Sequence, residues 1–198
     1  PNTSWCQKLD TQLRSVIKKR LRLPRRTATH YFYLQQALGG MGIPSATNEA
    51  HAAKAGQAFK FLADMRDPYI RKVALDQLRD TVAKRVRHLD PNNLEHLGDF
   101  LNNSAPPGEG RAGDLQSLWS HCRASLTMGG AAIEITQDSA FLLTERQKLP
   151  WGKRNQAFQA LKEAMHLRHL TGLRRSTDQG RAFDSLSLHP DSTFFTYT

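Results

Sequence analysis

The residues with the spacing for catalysis are few. Asp64 and Asp67, three apart, come nearest to the paired carboxylates that hold a divalent metal for phosphoryl or nucleotidyl transfer. Asp67 stands directly before Pro68, however, and Asp followed by Pro at the head of a periodic stretch is a helix N-cap with proline in the first turn. His166 and His169 have the spacing of two zinc ligands on one helical turn. With no third ligand at a workable distance, they read as solvated histidines near a helix end. His121 and Cys122 are adjacent, which points their side chains apart on a helix. CxxC, HExxH and GxSxG are all absent. Gly39-Gly40-Met41-Gly42 lacks the Gly-Lys-Ser/Thr of a phosphate loop and the spacing of a dinucleotide fingerprint. The sequence therefore predicts no catalytic residue, no metal ligand, no cofactor and no small-molecule ligand within this chain.

The chemistry that does stand out is attraction to phosphate. Net charge is +10 with a pI near 10.0, which points to nucleic acid first and an anionic membrane second. Lys8, Arg14, Lys18, Lys19, Arg20, Arg22, Arg25 and Arg26 face a single acid, Asp10, within residues 1–45. The following segment to residue 89 is also basic, residues 90–150 are acidic, and the remainder is basic again, so the binding face is predicted in the first half. Arg14, Lys18, Lys19, Arg22, Arg25 and Arg26 are the predicted contacts. Tyr31, Phe32 and Tyr33 could stack on bases, although aromatics in such a run more often fill a core.

These cations need a scaffold. Trp5, Leu9, Leu13, Val16, Ile17 and Leu21 recur at three- and four-residue steps along one face of a helix, with Arg14, Lys18 and Arg22 on the opposite, outer face. Pro24 is predicted to end that helix. Tyr31–Leu34 reads as extended or as a short helix. Gly39, Gly40 and Gly42 with Pro44 make a turn that a β-branched chain could not follow. Further helices are predicted from Asn48 to Ala63, from Asp67-Pro68 onward, and from Asp90-Pro91 to about Leu101. In the second of these, Ile70, Val73, Leu78, Val82 and Val86 are expected inward, and Arg71, Lys72, Arg79, Lys84, Arg85 and Arg87 outward. Asn102–Gly113 reads as a linker. A helix through Leu115–Leu126, one short strand at Ala132–Thr136 and a helix over Lys153–Leu170 follow. From Thr171 on, irregular structure is expected. The predicted fold class is mostly α, loosely packed, with at most one short strand.

Two cysteines fit a reducing compartment rather than a disulfide framework. No run of about 18 apolar residues and no signal peptide are present, so nothing is expected to span a membrane; the first helix, of only about four turns, lacks the bulky aromatic face of an interfacial helix, so no membrane partner is expected. With Pro1 at one end and Phe194-Phe195-Thr196-Tyr197-Thr198 at the other, the chain reads as a piece of something longer.

Trp5-Cys6-Gln7-Lys8-Leu9-Asp10, Leu13-Arg14…Ile17, Leu21-Arg22-Leu23-Pro24, Tyr31-Phe32 and Gly39–Ser45 (GGMGIPS) together resemble the thumb of non-LTR retrotransposon reverse transcriptases. The likeness is nearest to the ribosomal-DNA-type group that carries a restriction-like endonuclease. It covers about 40 residues. Residues 48–88 are similar to the segment that follows the thumb, and Thr177–Phe183 looks like the connector before the endonuclease region. The resemblance implies a thumb segment at 1–47, a post-thumb helical region at 48–102, a linker at 103–113 and a helical connector at 114–198. It implies RNA and DNA partners as a template–primer duplex, held by the cations named above, and a nuclear site of action at the point of integration. It also implies a parent RNA-directed DNA polymerase whose metal-binding aspartates, with a divalent metal such as magnesium, lie outside this chain, so catalytic roles fall on none of these residues. The alternative is a stand-alone basic helical RNA-binding or adaptor protein.

Overall fold

Asp10 is the sole acid among the first 48 residues, and it sets the geometry of the N-terminal part of the fold. It lies on helix α1 (Thr3–Arg20) and accepts hydrogen bonds at the start of helix α3 (Ala46–Ala63), from the Ser45 hydroxyl (2.8 Å) and the backbone N–H groups of Ala46 (2.8 Å) and Thr47 (3.0 Å). Ser45 in turn accepts from the Asn48 N–H at 3.2 Å. The free donors of the first turn of α3 are thereby met, by a negative charge placed where the helix dipole favours one.

The computed structural model describes residues 3–63, 66–104, 117–150, 152 and 154–176. The expected metal-pair member Asp64, most of the 103–113 linker and the 177–183 connector lie outside them. Among the described residues the chain is mostly α. Between α1 and α3 lies a short helix α2 (Thr29–Tyr33), followed by a 3-10 turn at Gln36–Leu38. Then come α4 (Pro68–Arg85), α5 (Leu94–Asn102), α6 (Leu118–Gly129), strands β1 (Ala132–Ile135), β2 (Ala140–Leu143) and β3 (Lys148–Pro150), and α7 (Arg154–Ser176). Two compact units result: Pro1–Glu49 with Met165–Thr198, and Ala50–Ala164.

In the first unit, α2 supplies the buried Phe32 and Tyr33, and Leu34 joins them. The glycine turn wraps this segment: the N–H groups of Met41, Gly42 and Ile43 donate to the carbonyls of Tyr31, Leu34 and Phe32 at 2.8–2.9 Å. Gly39 and Gly42 sit at φ +80° and +66°, where a side chain is strained. A Cβ on Gly40 would fall 2.2 Å from the Leu34 carbonyl oxygen, so that position requires glycine for close approach.

The second unit is built around α5, which packs against β1, α6 and α4. Phe59, Leu62, Leu78, Phe100, Trp119, Leu126 and Leu142 are fully buried in this unit. The sheet is antiparallel in the order β1-β2-β3, with Ile133 opposite Leu142 and Leu142 opposite Leu149. Asn102 closes its free edge: the side-chain amide donates to the Ile133 carbonyl (3.0 Å) and accepts from the Ile133 N–H (2.7 Å), as a neighbouring strand would. Only β1 is legible in the sequence, because Ala-Phe-Leu-Leu does not alternate and β3 contains a proline.

Helix boundaries follow the caps. Asp67 caps α4 by accepting from Tyr69 and Ile70 N–H groups, and Ser117 caps α6. Asp90-Pro91, expected to start a helix, forms a turn instead, and the N-cap of α5 is Asn93, which accepts from the Glu95 N–H at 2.9 Å. On α4 the buried residues are Ala74, Leu75, Leu78, Thr81 and Val82, while Ile70 and Val73, expected inward, are exposed. Arg71, expected outward, is an internal clamp. Its guanidinium donates to the carbonyls of Leu62 (2.8 Å), Gln137 (2.7 Å), Thr136 (2.7 Å) and Ser139 (3.2 Å), tying the end of α3 to the β1–β2 turn. α7 runs to Ser176, beyond the expected end at Leu170.

Candidate nucleic-acid interface

The helix α1 does not stop at Pro24. It ends at Arg20, and Arg22, two residues on, adopts φ +53°. The Leu23 N–H reaches the Lys18 carbonyl (2.9 Å) and the Arg22 N–H reaches that of Lys19 (3.4 Å). That pair of bonds is a Schellman cap, in which the left-handed position ordinarily belongs to glycine. Here an arginine holds it. Immediately after, the Thr27 N–H donates to the Pro24 carbonyl at 3.0 Å, so Arg25 and Arg26 are the two central residues of a β-turn.

Six sequence-predicted contacts divide into two groups. Lys19 in the last turn of α1, and Arg22, Arg25 and Arg26 on the two turns that follow, are exposed. From Thr11 to Asn48 the chain has no acidic residue, so nothing nearby in sequence offsets their charge. Arg14 and Lys18 are directed inward instead. The Arg14 guanidinium donates to the Tyr33 hydroxyl and to the Thr11 hydroxyl (3.0 Å), and lies 5.6 Å from the centre of the Tyr33 ring. The Lys18 ammonium donates to the carbonyls of Arg25 (2.9 Å) and Thr27 (3.1 Å), 5.6 Å from the centre of the Phe32 ring. Lys18 thus braces the turn that carries Arg25 and Arg26. Pro24, Gly39, Gly40, Gly42 and Pro44, the expected turn residues, shape the segments on either side of α2.

Of the aromatic run, Phe32 and Tyr33 are buried and only Tyr31 is half-buried. The first two belong to the core and are not stacking platforms. Burial raises the Tyr33 hydroxyl pKa and the Arg14 bond draws it down, the net being upward. Burial likewise opposes ionisation of Asp10, but hydrogen bonds from Thr47, Ser45 and Ala46 outweigh it and hold the carboxyl below its ordinary value of 3.8.

Two features escaped the sequence. Asp10 carried no local signal of its capping role, although Ser45 with Asn48 three residues on is the outline of an N-cap. The second is a histidine pair. His169 on α7 meets His30 on α2 with 3.0 Å between their Nδ1 atoms, and its Nε2 lies 2.7 Å from the Asn48 side-chain nitrogen. With the Asn48 amide donating to Nε2, His169 donates from Nδ1 to His30, and both rings are neutral. Burial drives the His169 pKa down to about 4, with help from His30, His166 and Arg168, and burial lowers that of His30 as well. Gly172 passes so close that a Cβ there would lie 2.5 Å from His30 Nε2.

Elsewhere the polar clusters are structural. His51 Nδ1 meets the Ser125 hydroxyl at 2.9 Å, but that hydroxyl donates to the His121 carbonyl (2.7 Å), so it is not an activated nucleophile. Cys122 is fully buried and its thiol is pushed up to about 12, which leaves it unreactive. Among the described residues no three His, Cys, Asp or Glu are grouped to hold a metal, and no helix is long and apolar enough to cross a membrane. No family model, no curated protein and no solved structure matches this chain.

Proposed function

We propose that this chain is a nucleic-acid-binding segment of the RNA-directed DNA polymerase of a non-LTR retrotransposon, gripping the template–primer duplex during target-primed reverse transcription in the nucleus. The observation that carries the binding role is the acid-free pair of turns at the end of α1. Next to Lys19 of the helix's last turn, they present Arg22, Arg25 and Arg26 to solvent on a backbone fixed by a Schellman cap and by Lys18. Guanidinium groups held on tied turns lose little freedom when they meet phosphate oxygens, and they hold a duplex without reading its sequence. The resemblance in the thumb motifs is what extends this role to a polymerase. Magnesium would act in the parent enzyme; the described residues here do not form a site for it, and no chemical step is assigned to this chain.

The test is fluorescence anisotropy of the 198-residue chain with an RNA–DNA hybrid across a series of salt concentrations. Charge reversal of Arg22, Arg25 and Arg26 together is expected to flatten the dependence of affinity on salt by about 0.9 per lost contact. An unchanged slope in a folded variant overturns the binding role. Arg14 and Lys18 are left intact, because reversing them would break internal bonds. The polymerase assignment has a separate test, an in-frame aromatic-Ala-Asp-Asp motif upstream in the gene. If binding holds without that motif, the chain is the stand-alone RNA-binding or adaptor protein.

A further inference from the structure

The polar face of α1, not its apolar face, packs inward. Cys6 and Asp10 are buried, and Arg14 and Lys18 are held by Tyr33 and by the carbonyls of Arg25 and Thr27. These bonds, with the Asp10 cap on α3, set the rotation of the helix about its axis. Most of the apolar stripe is therefore outside: Ile17 is half-buried, but Trp5 is 61% exposed, Val16 63%, and Leu9 and Leu13 39% each. The helix cannot roll to bury the stripe without unmaking the Asp10 and Lys18 bonds.

We infer that this stripe is the docking surface for an acidic amphipathic helix of a partner protein. The four side chains follow at steps of four, four and three, within an arc of roughly 80° and over roughly 16 Å of axis. That is one ridge, the width a single packed helix covers. An interfacial membrane helix presents a broader apolar face, and a nucleic-acid duplex offers phosphate rather than hydrocarbon along its surface. Charge specifies the rest. The flanking charges are Lys8, Lys19 and Arg20, and the single acid of α1, Asp10, is buried against α3. A partner helix carrying Glu or Asp beside its own apolar residues satisfies those cations, and one carrying Lys or Arg is repelled. Trp5 at one end is the anchor of the kind that dominates such contacts. The Arg22–Arg26 turns lie beyond the other end of the helix, so duplex and partner helix meet only at Lys19, on the border between them.

The experiment titrates the 198-residue chain, by isothermal calorimetry, with two synthetic 18-residue helical peptides that share a leucine stripe, one flanked by Glu and one by Lys. The Glu-flanked peptide is expected to bind at least tenfold more tightly. Trp5→Ser with Val16→Ser, both at exposed positions, is expected to weaken it at least tenfold and leave hybrid binding unchanged. Equal affinity for the two peptides, no binding of either, or an unaltered double variant overturns the inference. So does concentration-dependent dimerisation in sedimentation that the double variant abolishes, since the stripe then belongs to a second copy. Variant-sensitive binding to phosphatidylserine vesicles overturns it in favour of a membrane. Hybrid binding measured on the same samples reports separately on the proposed nucleic-acid role.

Discussion

Replacing Arg22 separates stability from binding in a way few surface positions allow. The residue sits at φ +53° in the cap of α1, exposed, with its backbone N–H bonded to Lys19. Left-handed backbone costs a residue with a Cβ about 1–2 kcal/mol. Glycine removes that cost but adds freedom to the unfolded chain worth about 0.5–1 kcal/mol. Arg22→Gly is therefore expected to stabilise the chain by about 0.5–1 kcal/mol, whereas Arg22→Ala keeps the strain and stays within about 0.5 kcal/mol of the parent. Both remove the same guanidinium. Both should reduce the slope of log affinity against log salt for an RNA–DNA hybrid by about 0.9, one phosphate contact. Urea unfolding followed by circular dichroism gives the stabilities, and anisotropy across a salt series gives the slopes. A destabilised Arg22→Gly would refute the Schellman geometry. Equal slopes for all three proteins would refute the phosphate contact. The combination expected, a more stable protein that binds less well, is what a strained residue retained for function predicts.

Lowering the pH should weaken the first unit through the histidine pair. The folded His169 value of about 4 lies below the ordinary 6.5, so its stabilisation is present above pH 6.5 and is lost as pH falls from 6.5 towards 4. The difference amounts to about 3 kcal/mol, which screening of the part-buried ring brings to about 2 kcal/mol. Urea midpoints at pH 7 and 4.5 measure it, and His169→Gln should flatten the difference. Asp10→Ala leaves three donors at the start of α3 without their acceptor, an expected loss of about 2–3 kcal/mol in thermal or urea unfolding. Gly40→Ala, forced against the Leu34 carbonyl, should destabilise by at least about 2 kcal/mol, far more than Ala37→Gly at an exposed neighbouring position. Similar losses for the two would contradict the close approach seen at Gly40.

What the sequence determined by itself is local. Asp67-Pro68 marked the start of α4, and the glycines at 39, 40 and 42 a turn that only they could follow, because caps and left-handed positions depend on a few adjacent residues. The mostly helical character followed from periodicity in the same way, whereas the charge density of the first 45 residues supports the proposed phosphate contact without fixing its geometry. Which side of a helix faces in is not a local property. α1 was readable as amphipathic, but its orientation depends on Asp10 meeting α3, some 35 residues on, and on Arg14 meeting Tyr33. Those bonds turned two expected phosphate ligands into internal braces and left the apolar stripe outside. The same holds for Arg71, one more cation on a basic helix until the β1–β2 turn brings three carbonyls to it, and for His30 and His169, 139 residues apart. Hydrogen-bonded charge is satisfied by whatever the fold brings within about 3 Å, and only the tertiary structure decides what that is.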